Sequence, residues 1–160
     1  MKKIFSVVLA TITLTLLLPT AVYASGDSAT ISSSLYVNGY YIETVIADAT
    51  PDGLLPMVTN ASNTVTKTKT TYIKDANKNT LWYVSVTATF SYDGNKSECT
   101  SCSHHAGSNA SSWSIKSCSS NKSGNTATAT ATALHTNIFG ISQEYTQSVT
   151  IQCSPSGEVY

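Results

Sequence analysis

The sequence predicts an all-β protein: an immunoglobulin-like antiparallel β-sandwich of about six to eight strands, with a jelly roll or a small β-barrel as the alternative. Three observations carry this. No segment after residue 24 repeats its apolar residues at the helical period. Leu81 to Tyr92 alternates strictly, with Trp82, Val84, Val86, Ala88, Phe90 and Tyr92 on one face and Leu81, Tyr83, Ser85, Thr87, Thr89 and Ser91 on the other. Turn sequences recur between such segments at hairpin spacing, as at Asp93-Gly94-Asn95, Asn121 to Gly124 and Thr136 to Gly140.

Residues 1–24 read as a secretion signal. Lys2 and Lys3 precede an apolar run from Ile4 to Leu18, and Val22-Tyr23-Ala24 places small residues where a signal peptidase cuts. The run is too short for a membrane anchor, which needs about 20 apolar residues. No Cys stands directly after the cleavage point, where Ser25 follows, so a lipid anchor is not expected. The expected product is secreted and extracellular, free or held non-covalently on the cell.

Residues 25–63 form an N-terminal segment of short strands and a loop. Ser25 to Ser34 is polar and expected to fray. Tyr36, Tyr40 and Tyr41 surround Asn38-Gly39, a hairpin signal. Thr50-Pro51-Asp52-Gly53 is a turn, and Leu54 to Asn63 reads as a loop or linker.

Residues 64–160 are the expected sandwich core. Thr64 to Ile73 alternates Val65, Lys67, Lys69, Thr71 and Ile73 against Thr and Tyr72. After Leu81–Tyr92 come a strand from Lys96 to Ser103, a Gly/Ser/His/Asn loop from Ser103 to Ser111, and a strand from Trp113 to Cys118. The Thr-Ala repeat of Asn125 to His135 reads as a strand with small residues inward, which lets a second sheet approach closely. Ile141 to Cys153 is the last strand, with Tyr145, Val149, Ile151 and Cys153 on one face.

Charge excludes several function classes. The chain has no Arg, and after the signal seven Lys face nine Asp and Glu. Nucleic-acid binding needs a basic stripe, and so does attraction to anionic lipid; neither partner is expected.

Four cysteines behind an export signal point to disulfides. Three pairings exist. Strand parity puts Cys153 inward with Val149 and Ile151, sets Cys99 and Cys102 on opposite parities, and turns Cys118 away from Trp113 and Ile115. The consistent pairing is Cys99–Cys153 across the core and Cys102–Cys118 across the outer face or loop. A Cys99–Cys102 bond of the oxidoreductase kind is the competing choice.

Thr80-Leu81-Trp82, Ala88 to Asn95, Cys99-Thr100, Ser112-Trp113-Ser114, Lys122 to Ala127 and Val149 to Ser154 form a set. Over Thr64 to Tyr160 it resembles small secreted, uncharacterised β-rich proteins of Firmicutes, especially Clostridia. The resemblance implies a β-rich fold and one cysteine pair, Cys99 with Cys153. It implies no activity. Cys102, Cys118, His104 and His105 depart from its pattern.

Cys99, Cys102, His104, His105 and Cys118 carry zinc-ligand atoms at loose spacing. Export favours disulfides over ligation, so no metal and no cofactor are expected. A Ser with His104 and Glu98 would supply a hydrolase, and Asp75, Asp93, Glu98 and Glu144 a glycosidase pair, but no nucleophile elbow or HExxH motif is present. The reading that remains is a non-catalytic extracellular interaction or adhesion module. It would bind a protein, a cell-wall polymer or a glycan through Tyr36, Tyr40, Tyr41, His104 and His105, with Tyr72 and Tyr83 as further exposed rings. A bacteriocin-like or toxin-like protein and a hydrolase are the alternatives.

Overall fold

The computed structural model describes residues 30–37, 39–49 and 63–160. The signal at 1–24, the turn at Thr50 to Gly53 and nearly all of the loop at Leu54 to Asn63 lie outside them. Eight strands are present: β1 (Thr30–Val37), β2 (Tyr40–Asp48), β3 (Asn63–Lys74), β4 (Thr80–Tyr92), β5 (Ser97–Ser108), β6 (Trp113–Ser123), β7 (Thr126–Thr136) and β8 (Ser142–Gln152). They form a five-stranded sheet, β1-β2-β3-β4-β5, and a three-stranded sheet, β6-β7-β8, all antiparallel. The all-β sandwich is as the sequence predicts. Each strand pairs only with its neighbours in sequence, so the chain makes two successive meanders and crosses between sheets once, from β5 to β6.

The pleat explains the core. β4 turns Trp82, Val84, Val86, Ala88 and Phe90 inward, and all are buried. β7 turns Ala127, Ala129, Ala131 and Ala133 inward, each fully buried. Their small size lets β7 lie close across β4 and β5. β8 contributes Val149 and Ile151, and Cys99, Trp113 and Cys153 complete the cluster. The small sheet packs on β3, β4 and β5; its backbone does not reach β1 or β2. The large sheet therefore overhangs by two strands.

Several expected boundaries move. β1 already begins at Thr30, inside the stretch expected to fray, and β1 and β2 continue the sheet of β3 rather than standing apart. Gly39, with φ 87°, sits at the turn between Val37 and Tyr40, where a two-residue hairpin needs a left-handed residue. The expected loop at Ser103 to Ser111 is mostly strand: β5 runs to Ser108, paired with Trp82. Gly107 permits this, because Tyr83 lies over it and an ideal Cβ there would stand 2.6 Å from the Tyr83 hydroxyl. β6 likewise extends past Cys118 to Ser123.

The cysteine parity is corrected by two β-bulges. One falls between Ser101 and Cys99 opposite Thr89 and Phe90, leaving Thr100 unpaired; its hydroxyl donates to the Thr89 carbonyl at 3.0 Å. Cys99 then opposes Phe90 and Cys102 opposes Ala88, both inward-facing residues. The other bulge leaves Lys116 unpaired between Ile115 and Ser117, so Cys118 opposes inward-facing Ala131. A bulge adds a residue to one strand and so reverses simple alternation across it. All four cysteines thus face the space between the sheets, and none points to the outer face.

Candidate binding surface

The outer face of the large sheet gathers most of the aromatic candidates. Tyr36 on β1 packs on Tyr41 of β2, with ring centroids 4.7 Å apart. Tyr41 pairs with Lys74, whose ammonium lies 5.6 Å from the Tyr72 ring and bonds Glu43 at 2.7 Å. Tyr72 meets Tyr83 of β4 at 5.9 Å, and Tyr83 stacks on His105 of β5 at 5.6 Å. The Tyr83 hydroxyl and His105 Nδ1 are 3.2 Å apart. Register alone produces this stripe: each residue stands opposite or diagonal to the next on the same face of the pleat. It crosses all five strands and is bordered by the hydroxyl pairs Thr68–Thr87 and Thr66–Thr89.

Two of the candidates fall elsewhere. Tyr40 faces the opposite side. It closes an inner aromatic group with Trp113 and Tyr145, each 6.0 Å away, while Trp113 stacks on His135 at 4.8 Å and on Trp82 at 6.1 Å. Burial, with Tyr145 alongside, pushes the Tyr40 phenol pKa up. His104 faces the seam between β5 and β6 and bonds Ser120 Oγ at 2.9 Å. Alternation thus separates His104 from its neighbour His105.

Neither the His104–Glu98 pair nor the Asp75–Asp93 pair comes together, whereas Asp93 and Glu98 line one shallow cleft with Lys96. Glu98 opposes Ser91 on the outer face, while His104 opposes inward-facing Val86, so no carboxylate from that position orients the His104–Ser120 pair. Asp75 and Asp93 sit beyond opposite ends of β4, which at about 3.3 Å per residue spans roughly 40 Å. Asp75 accepts from the Asn79 side chain and from the amides of Asn77 and Asn79, and Asp93 from the amides of Lys96 and Asn95. These bonds hold both carboxyls below the usual range, the opposite of what a glycosidase acid requires.

The cysteines are free thiols in the structure. Burial raises the pKa of Cys99, Cys118 and Cys153, whereas a reactive CxxC cysteine has a lowered one. Among the described residues no three His, Cys, Asp or Glu side chains converge on a metal site.

One surface feature was not singled out from sequence. The β7–β8 turn holds Ile138, Phe139 and Ile141 in solvent, at 94%, 81% and 65% exposure. Asn137 Oδ1 accepts from the amides of Phe139 and Ile141 at 2.9 and 3.0 Å, which fixes the turn. Its signal is an apolar pair inside an Asn-to-Gly turn, with Ile141 directly after the glycine, where polar residues are usual.

Comparison with family models, with curated proteins and with solved structures gives no match to this chain.

Proposed function

We propose that the protein is a secreted, non-catalytic interaction module that holds a cell-wall polymer or other glycan on the aromatic stripe of its large sheet. The stripe itself supports this: Tyr36, Tyr41, Tyr72, Tyr83 and His105 stand in sequence across five strands. Aromatic faces stack on sugar rings at little entropic cost, and the neighbouring hydroxyls suit a neutral, hydroxyl-rich ligand. Purified protein should be retained on isolated cell wall or on a glycan array, and the double variant Tyr72→Ala, Tyr83→Ala should lose that retention. No retention on any surface, or retention indifferent to both tyrosines, defeats the reading; retention on a protein alone replaces the ligand.

Export and cysteine oxidation belong to the same proposal. The common inward orientation of Cys99, Cys102, Cys118 and Cys153 supports closure within the sandwich and no longer distinguishes the three pairings by parity; Cys99–Cys153 with Cys102–Cys118 is the pairing we propose. Intact mass of the secreted form, with and without thiol alkylation, reads both the cleavage site and the bonds.

A toxin-like reading has one observation in its favour, the exposed Ile138, Phe139 and Ile141. Leakage of neutral lipid vesicles, abolished by Phe139→Ser, would favour it.

A further inference from the structure

The overhang of the large sheet creates a step. β8 is the free edge of the small sheet among the described strands, and beside it no described strand lies over the inner faces of β1, β2 and part of β3, apart from the Tyr40 end, which packs on Trp113 and Tyr145. A cleft of about 200 Å³ runs along the step. Ser33, Thr44, Lys69 and Thr71 form its floor, and the edge of β8 from Gln147 to Thr150 forms its wall. No carboxylate of the described residues lines it.

Lys69 is the unusual group. It opposes Val86 and Ile46, so its side chain rises from the inner face. Lys67, two residues away on that face, pairs with Asp48; Lys74 pairs with Glu43, Lys116 with Glu144, and Lys122 donates to the carbonyls of Cys99 and Thr100. Lys69 has neither carboxylate nor carbonyl partner among the described residues; Lys78 and Lys96 have none either, but both are exposed at turns, whereas Lys69 is half-buried. Burial lowers its pKa, so the fold holds a cation where water serves it poorly. Hydroxyl residues share the cleft floor with it: Thr71 is almost fully buried, and its Oγ1 lies 3.1 Å from that of Thr44. A half-buried lysine sharing a cleft floor with hydroxyl residues is the complement of an anion. A single cation, with no second one and no amide nest, suits a singly charged planar group better than a phosphate.

We propose that this cleft binds a carboxylate group of a ligand, with Lys69 supplying the opposing charge and the floor hydroxyls of Ser33 and Thr71 donating hydrogen bonds. The site lies on the inner face of the large sheet, opposite the aromatic stripe, and stands or falls independently of it.

The test is a titration of ¹⁵N-labelled protein with sodium acetate, sodium chloride being withdrawn to keep ionic strength constant. Amide shifts at Thr44, Lys69, Thr71 and Val149 should saturate, with an affinity on the order of millimolar to tens of millimolar for so small a ligand. Lys69→Met should abolish saturation, Lys69→Arg should retain it, and Thr71→Val should weaken it about two- to tenfold. Lys67→Met, at a lysine already paired, should leave it unchanged, as should Tyr72→Ala with Tyr83→Ala. Glucuronate and N-acetylalanine then separate the two sources of a carboxylate, a sugar acid and a peptide end. Tighter saturation by one identifies the source, and equal saturation by all three shows that the carboxylate alone is read. Shifts that never saturate, that spread over the other lysines, or that persist in Lys69→Met overturn the proposal.

Discussion

The two sheets of the sandwich divide the work unequally. The large sheet sends bulk inward, through Trp82, Val84, Val86 and Phe90, and rings outward, through Tyr41, Tyr72 and Tyr83. The small sheet sends little inward from most of its middle strand, Ala127, Ala129, Ala131 and Ala133, with His135 stacked on Trp113 at its end. Outward it presents paired hydroxyls: Thr128–Thr150, Thr130–Ser148, Thr132–Thr146 and Thr136–Ser142, each 2.8 to 2.9 Å apart. The lesson is one of complementarity. A core filled from one side requires emptiness on the other, and the alanines of β7 supply it. The outer faces differ for another reason. The small sheet's outer face is lined by hydroxyls bonded across its strands, whereas the large sheet's outer face adds a row of rings to such pairs.

The comparison breaks most sharply at Phe90. Phe90→Ala removes a fully buried ring and should cost about 3–5 kcal/mol, read from urea unfolding. Ala129→Leu tests the other half. If β7 must be small, the added side chain should destabilise by about 1–3 kcal/mol although it is more apolar; a neutral or stabilising result would mean that the gap between the sheets is looser than described. Thr130→Val, on the outer hydroxyl ladder, should cost only about 0.2–1 kcal/mol.

The smallest effect separates the sheets by pH. Asp75 and Asp93 cap the turns at either end of β4, and their folded pKa values are depressed by hydrogen bonds. A depressed carboxylate contributes above its unfolded pKa and loses that contribution as pH falls through the folded value. The melting temperature should therefore drop on acidification below the ordinary carboxylate range. The double variant Asp75→Asn, Asp93→Asn should flatten that limb without changing the neutral plateau's shape. Both turns belong to the large sheet, so an acid limb that survives unchanged in the variant overturns their assignment as its source.

Much of this was legible in the sequence, because the pleat converts spacing directly into facing. Leu81 to Tyr92 and the Thr-Ala repeat could be assigned inward and outward residues without knowing a single neighbour. The bulges at Thr100 and Lys116 could not be foreseen, since nothing in Cys-Thr-Ser-Cys or Ile-Lys-Ser-Cys marks the residue that the partner strand will skip. The site was legible only as an inventory of tyrosines. Which rings meet depends on cross-strand register, and this placed Tyr40 on one side of the sheet and Tyr41 on the other. Lys69 looked like any surface lysine until strand order showed that β8 stops short of covering it.

The bulges also bear on how chain length can drift. In a regular strand every residue is counted, because removing one turns all those beyond it to the wrong face. Thr100 and Lys116 are spare residues in this count. Excising either would straighten the ladder while leaving Cys99, Cys102 and Cys118 on the side they occupy now. A deletion at Ser103 or Ser119 would misdirect the rest of the strand unless the bulge slid along to absorb it. Relatives that differ by one residue in β5 or β6 are therefore expected to keep the same interior, with the slack taken up at these two positions.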